Sequence, residues 1–326
     1  MLTQRADNTV MRHLALIVAA AASFLLAGCA ASTLHTADAR QSVAISDPTV
    51  LTLLHRDGTP ASWHELITAC VSADAVLIGE CHGMEVGQAF QARLFRDLIA
   101  QAPAASGALE FIERDNQAAV DDYLSGISTE EEFRRAARLT DSNYTSGHRA
   151  IVEACKAAGR PVSAANASRR YVRLARSEGF DRLRELTPEQ QRLVVLPEFL
   201  PDGRYRDDFF KVMGGKDLLE ADPTTDAAKA EANAKRSATI DAMFRSQSVW
   251  DWTMADSVAR QLDQGGQPVV LIVGRFHTDH DGGLVSALRH MRPAAGIVTI
   301  SSVDRWSQTL SEEERNIADF IVFIGE

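Results

Sequence analysis

Val76-Leu77-Ile78-Gly79-Glu80-Cys81-His82 decides how this chain is read. An unbroken apolar run bounded by glycine reads as a buried strand. A carboxylate, a thiol and an imidazole follow it directly. In a parallel sheet, whatever follows a strand is delivered to the crevice at the sheet's carboxyl edge. The segment therefore predicts both an α/β fold and a site.

Working outward, the same arrangement repeats. Gly107 to Phe111 reads as a second strand, with Glu110 near its end. Pro161 to Ala165 is a third, ending at Asn166. Pro268 to Val273 is a fourth, running into Gly274-Arg275-Phe276-His277, with Asp279 and His280 behind. Ile297 to Ser301 is a fifth, and Phe320 to Ile324 a final edge strand. Helices are expected between them. Ser62-Trp63-His64-Glu65 is a capping box opening a helix through Ala69. Gln88 to Ile99 carries Phe90, Leu94, Phe95 and Leu98 at helical spacing. Gln117 to Arg138 is helical with a break near Gly126, and Ile151 to Ala158 stops at Gly159. Ser311-Glu312-Glu313-Glu314 is a second capping box. The predicted fold is α/β: a mostly parallel sheet flanked by helices. From about 171 to 246 the strand signals cease, which predicts an inserted helical subdomain. Its Phe199, Phe209, Phe210, Met213, Met243 and Phe244 form either its own core or a cover over an apolar ligand.

The N-terminus reads as a signal peptide, residues 1–28, with Arg12 before an apolar stretch from Leu14 to Leu26 that is too short to span a bilayer. Met11 is an alternative start. Leu26-Ala27-Gly28-Cys29 resembles a bacterial lipobox, so Cys29 is expected to carry lipid, followed by a tether over 29–47 and a domain over 48–326. Ala30, rather than aspartate, favours the outer membrane of a Gram-negative bacterium, facing the periplasm or the cell surface. Cys70, Cys81 and Cys155 remain, an odd number that cannot be fully paired. The net charge of -10 and the lack of a basic patch argue against a nucleic-acid partner.

Glu80, His82, Glu110, Asn166 and His277 are thus expected at one edge. Glu80, His82 and His277 suffice as ligands to a divalent metal. Alternatively Glu80 or His277 is a general base. There is no HExxH and no paired CxxC. No GxSxG elbow occurs, and no phosphate-binding glycine pattern among Gly79, Gly83 and Gly87.

The residues also resemble a family. The run from Val76 to His82 with Gln91 resembles the opening motif of ChaN-type haem-binding lipoproteins. Ala108-Leu109-Glu110-Phe111 with Gln117 resembles their second motif. The stretch from His148 to Ala154, with Pro161-Val162 and Asn166, resembles the third. Met254-Ala255 and Gly274-Arg275-Phe276-His277 with Gly282-Gly283 resemble the last two. The resemblance implies an outer-membrane lipoprotein that binds haem for iron uptake, as a homodimer whose two protomers enclose it. Gly87 and Gln88 stand where the family often carries histidines. His148 stands where it tends to carry a tyrosine suited to ferric haem. Histidine also ligates haem iron, so His148 and Tyr144 are the expected ligands, with Tyr205 a weaker third. Asn166 and Arg275 are expected around the macrocycle, with Arg275 or Arg149 pairing with propionates. The wider superfamily includes Tiki proteases and erythromycin-esterase-like proteins. It implies the alternative of a metal-dependent hydrolase with Glu80, His82, Glu110 and His277 as catalytic residues.

Overall fold

The strand run from Ala75 to Glu80 is buried at all six positions, and so is Val269–Gly274. Only a strand covered on both faces can be apolar throughout. This computed structural model describes residues 51–220 and 226–325. The expected signal peptide, the lipidated Cys29 and the tether lie outside the described residues.

The chain begins with β1 (Thr52–His55), α1 (Trp63–Ser72), β2 (Ala75–Glu80), α2 (Glu85–Gln101) and β3 (Ser106–Glu113). A turn of 3₁₀ helix leads to α3 (Gln117–Leu124), α4 (Glu130–Ala136), α5 (Ser146–Ala157) and β4 (Val162–Asn166). Then come α6 (Arg169–Glu178), α7 (Phe180–Arg184), α8 (Pro188–Gln191), α9 (Arg204–Val212), α10 (Lys216–Glu220) and α11 (Ala227–Asp263). The chain closes with β5 (Val269–Gly274), a 3₁₀ turn over Arg275–His277, α12 (Gly283–Met291), β6 (Ile297–Val303) and β7 (Phe320–Phe323).

The sheet order is β1-β7-β6-β2-β5-β3-β4, parallel except for the β1–β7 pair. The α/β class with a mostly parallel sheet is as the sequence predicts. Strand period two sorts the core. Val76, Ile78, Leu109, Val270 and Ile272 face one way, toward Phe90, Leu94, Phe95, Ile151 and Val152 of α2 and α5. Ala75, Leu77, Ala108, Val269 and Leu271 face the other, toward Trp252, Val258, Leu284 and Leu288 of α11 and α12.

Three expectations are corrected. β7 is not an edge strand, because β1 pairs with it; four residues with adjacent buried Leu53 and Leu54 carried too short a signal. The Ser311 box opens no helix. Ser311 N–H does donate to Glu314, but Arg305 also claims that carboxylate and the segment stays a turn. The helical region does not end at 246, since α11 runs 37 residues from an exposed, alanine-rich start onto the sheet. Phe209, Phe210 and Phe244 pack with Tyr205 and Ile240 as a core of that region, with Met213, Met243 and Phe276 against it. Phe199 lies apart, edge-on to Trp252 and His290. No helix among the described residues is long and apolar enough to cross a membrane.

Candidate functional site

Strand parity decides where each acid goes. Glu80 shares a face with Val76 and Ile78, so it points toward α2 and α5. Glu110 shares a face with Ala108, so it points toward α11. The two carboxylates start at one edge of the sheet and lean to opposite sides of it.

Glu80 is buried and accepts from three sides. His82 Nδ1 lies 2.8 Å from Oε1. Gln91 Nε2 donates to Oε2 at 2.7 Å, and His148 Nε2 lies 3.3 Å from the same oxygen. The His148 tautomer follows: Thr145 N–H donates to its Nδ1, leaving Nε2 to carry the proton toward Glu80. Burial opposes charge on Glu80, yet His148 and His82 outweigh it and hold the carboxyl well below the usual carboxylate range. Both of its oxygens are already engaged by these side chains, Oε1 by His82 and Oε2 by Gln91 and His148. The expectation that Glu80 activates water is therefore replaced: it orients His82.

Glu110 Oε2 accepts the Gly274 N–H at 2.7 Å, and its Oε1 lies 3.7 Å from His277 Nε2. His277 Nδ1 is 2.6 Å from Asp251 Oδ1. Asp251 Oδ2 accepts from the Tyr205 hydroxyl at 2.8 Å. Burial disfavours the imidazolium, but Asp251 and Glu110 overcome this and raise the His277 pKa. Gly274 separates the two halves: a Cβ there would lie 2.9 Å from His82 Nε2 and 3.6 Å from Glu110 Oε2. The result is a row of alternating acids and imidazoles across the carboxyl edge: His148, Glu80, His82, Glu110, His277, Asp251. The exposed member is His82, whose side chain is 39% accessible. Phe111 packs between the rings of His82 and His148, at 5.1 and 5.6 Å.

The structure does not use every expected residue as the sequence suggests. His148 is 2% exposed and Tyr144 4%. Tyr144 packs edge-on to Phe133, and burial pushes its phenol pKa up. Its hydroxyl is buried without a partner, with no hydrogen bond to the row. Neither residue is placed to reach an iron outside the core. Arg275 Nε donates to Asp279 at 2.7 Å, and Arg149 forks onto Glu130 through Nε and Nη2. Asn166 sits opposite Glu113 in the β4 ladder and accepts from Ala167 N–H. The expected metal set of Glu80, His82 and His277 is not gathered: among the described residues no three His, Cys, Asp or Glu side chains are arranged to hold a metal ion. The reason is that Glu80 is spent on His82, Gln91 and His148, and His277 on Asp251.

Asp251 and Gln247 were not singled out in the sequence. Asp251 had a signal. It falls on the stripe Phe244, Asp251, Met254, Ala255 and Val258, and an acid on an apolar helical face must have a buried partner.

Residues 66–288 match the family described as haem-binding uptake, Tiki superfamily, ChaN. The chain belongs to this ChaN family. A ChaN of Campylobacter jejuni, solved with cofacial haem, is similar in fold at 16% identity and a TM-score of 0.60, over 83% of this chain and 96% of its own. An erythromycin esterase in its open conformation gives 14% identity and a TM-score of 0.45, over 83% of this chain and 97% of its own. A Bacillus cereus protein gives 12% and 0.45, over 84% and 94%. No curated protein matches the chain.

Proposed function

We propose that this ChaN-family chain is a haem-binding lipoprotein of the outer membrane that serves iron uptake, with His82 as the residue that meets the iron. Family membership over residues 66–288 supports haem as the ligand. The observation that carries the residue assignment is the pairing of a half-exposed His82 with buried, ionised Glu80 through Nδ1. A carboxylate on one ring nitrogen fixes the tautomer and raises the basicity of the other, the usual support of a metal-bound histidine. The Phe111 ring beside it offers an apolar edge. The lipobox and Ala30 support the membrane anchor and its outer location. A homodimer enclosing the haem belongs to the same reading.

Titrating purified protein with hemin tests it. A saturable Soret shift is expected for wild type and its loss for His82→Ala. A wild-type spectrum equal to free hemin overturns the reading. Cys29→Ala is expected to move the protein from the outer-membrane fraction to the soluble periplasm.

A second reading is favoured by one observation, the Asp251–His277 pair. A buried acid that holds one imidazole nitrogen orients the other as a base, the logic of hydrolytic dyads. In this reading His277 takes a proton from water at Nε2 and Glu110 holds that water. Turnover of an ester or peptide panel that disappears in His277→Ala is the expected result, and no turnover by wild type removes the reading.

A further inference from the structure

We propose that Tyr205 is a positioning residue: its hydroxyl, carried in on α9, holds Asp251 so that Asp251 in turn fixes His277. The helical region between β4 and β5 is then a working part of the site. This deepens the hydrolytic reading and rests on it only for the use to which His277 is put.

The geometry is a closed set of contacts from four elements. Asp251, on α11, is fully buried. One oxygen meets His277 Nδ1 at 2.6 Å and the other accepts from Tyr205 at 2.8 Å. Without the phenol, that second oxygen is a buried acceptor lacking a donor, which is costly. Gln247 lies one helical turn before Asp251, on the same face. Its Nε2 donates to the Tyr205 oxygen at 3.1 Å and sits 3.1 Å from His277 Nδ1. Gln247 donates into the Tyr205 oxygen, so the phenol hydrogen is directed to Asp251, and burial pushes the phenol pKa up in the same sense.

Two further features keep Tyr205 in place. Its ring packs on Phe276 and Phe244, at 5.0 and 5.8 Å. Gly283, in the first turn of α12, leaves the room: a Cβ there would fall 2.1 Å from Asp251 Oδ2 and 2.7 Å from Tyr205 Cε1. Such distances exclude any side chain unless Asp251 or Tyr205 moves.

Proton NMR of the full chain tests the proposal without turnover. An imidazole N–H bonded to a buried carboxylate resonates far downfield and is protected from exchange with water. Wild type should show that signal, and His277→Ala and Asp251→Asn should lack it, which assigns it. Tyr205→Phe should lose it or broaden it by exchange while retaining the wild-type circular dichroism spectrum. Gly283→Ala should do the same from the opposite side. Phe209→Leu, which loosens the same aromatic cluster without touching the hydroxyl, should leave it sharp. A Tyr205→Phe signal equal to wild type, or equal loss in Phe209→Leu, overturns the proposal. Failure of all hydrolysis assays with this pattern intact would discard the hydrolytic reading and leave the positioning role standing.

Discussion

His148 Nε2 stands 3.3 Å from Glu80 Oε2, inside the fold. The histidine expected to meet an iron is instead part of the clamp on a buried carboxylate. That clamp, closed by Gln91 and His82, keeps Glu80 charged and leaves His82 as the exposed imidazole of the edge.

Glu80 should shape the acid limb of stability. Its folded pKa is depressed, so its contribution is complete above the unfolded value of about 4.3 and is lost as pH falls through the folded pKa. Glu80→Gln should cost about 3 kcal/mol near neutral pH, since it leaves donors facing an uncharged buried group. It should also flatten the decline of stability in acid. Urea denaturation across the acid range measures both effects.

The ligand reassignment has its own spectral test. Tyr144→Phe should leave the hemin Soret band as in wild type, because the phenol lies in the core against Phe133. His148→Ala should show chiefly as lost stability, about 3 kcal/mol for breaking a buried charged contact. Loss of the band in Tyr144→Phe would return the iron to that tyrosine.

Gly274 is where the two halves of the row nearly touch. Gly274→Ala places a methyl 2.9 Å from His82 Nε2 and should displace that ring. Overpacking of this kind costs about 1–3 kcal/mol. Hemin titration should show weakened binding beyond the stability loss read by thermal unfolding.

Cys70, Cys81 and Cys155 are buried, and no disulfide joins them. Burial pushes the Cys70 and Cys155 thiols up to about 12. Neither should react with a thiol reagent at mildly alkaline pH, and both should label at the rate of global unfolding. Mass spectrometry of peptides after timed alkylation reads this directly.

The ChaN resemblance and the α/β class were legible in single segments. Val76 to Gly79 and Val269 to Val273 are apolar without interruption because both faces of each strand are covered, and that shows in sequence. The residues at their ends were legible for the same reason, since a parallel strand fixes where its successor emerges. Glu80 and His82, Glu110 and His277 are found together at that edge. β1 was not legible, because four residues of edge strand depend on β7 for their register and carry little pattern alone.

What the sequence determined by itself is local: strand and helix periodicity, the capping box at Ser62, and the delivery of acids and imidazoles to one edge. Only the tertiary structure decided which of them meet. Whether a histidine is a ligand or a clamp depends on what lies within about 3 Å of its two nitrogens. For His148 that is Glu80 at Nε2 and Thr145 at Nδ1, and for His277 it is Asp251 at Nδ1, with Glu110 farther off at Nε2. Those partners come from distant segments brought together by burial of both faces of the sheet. Hydrogen bonds act over a few ångströms, whereas sequence patterns record only which face of an element turns inward.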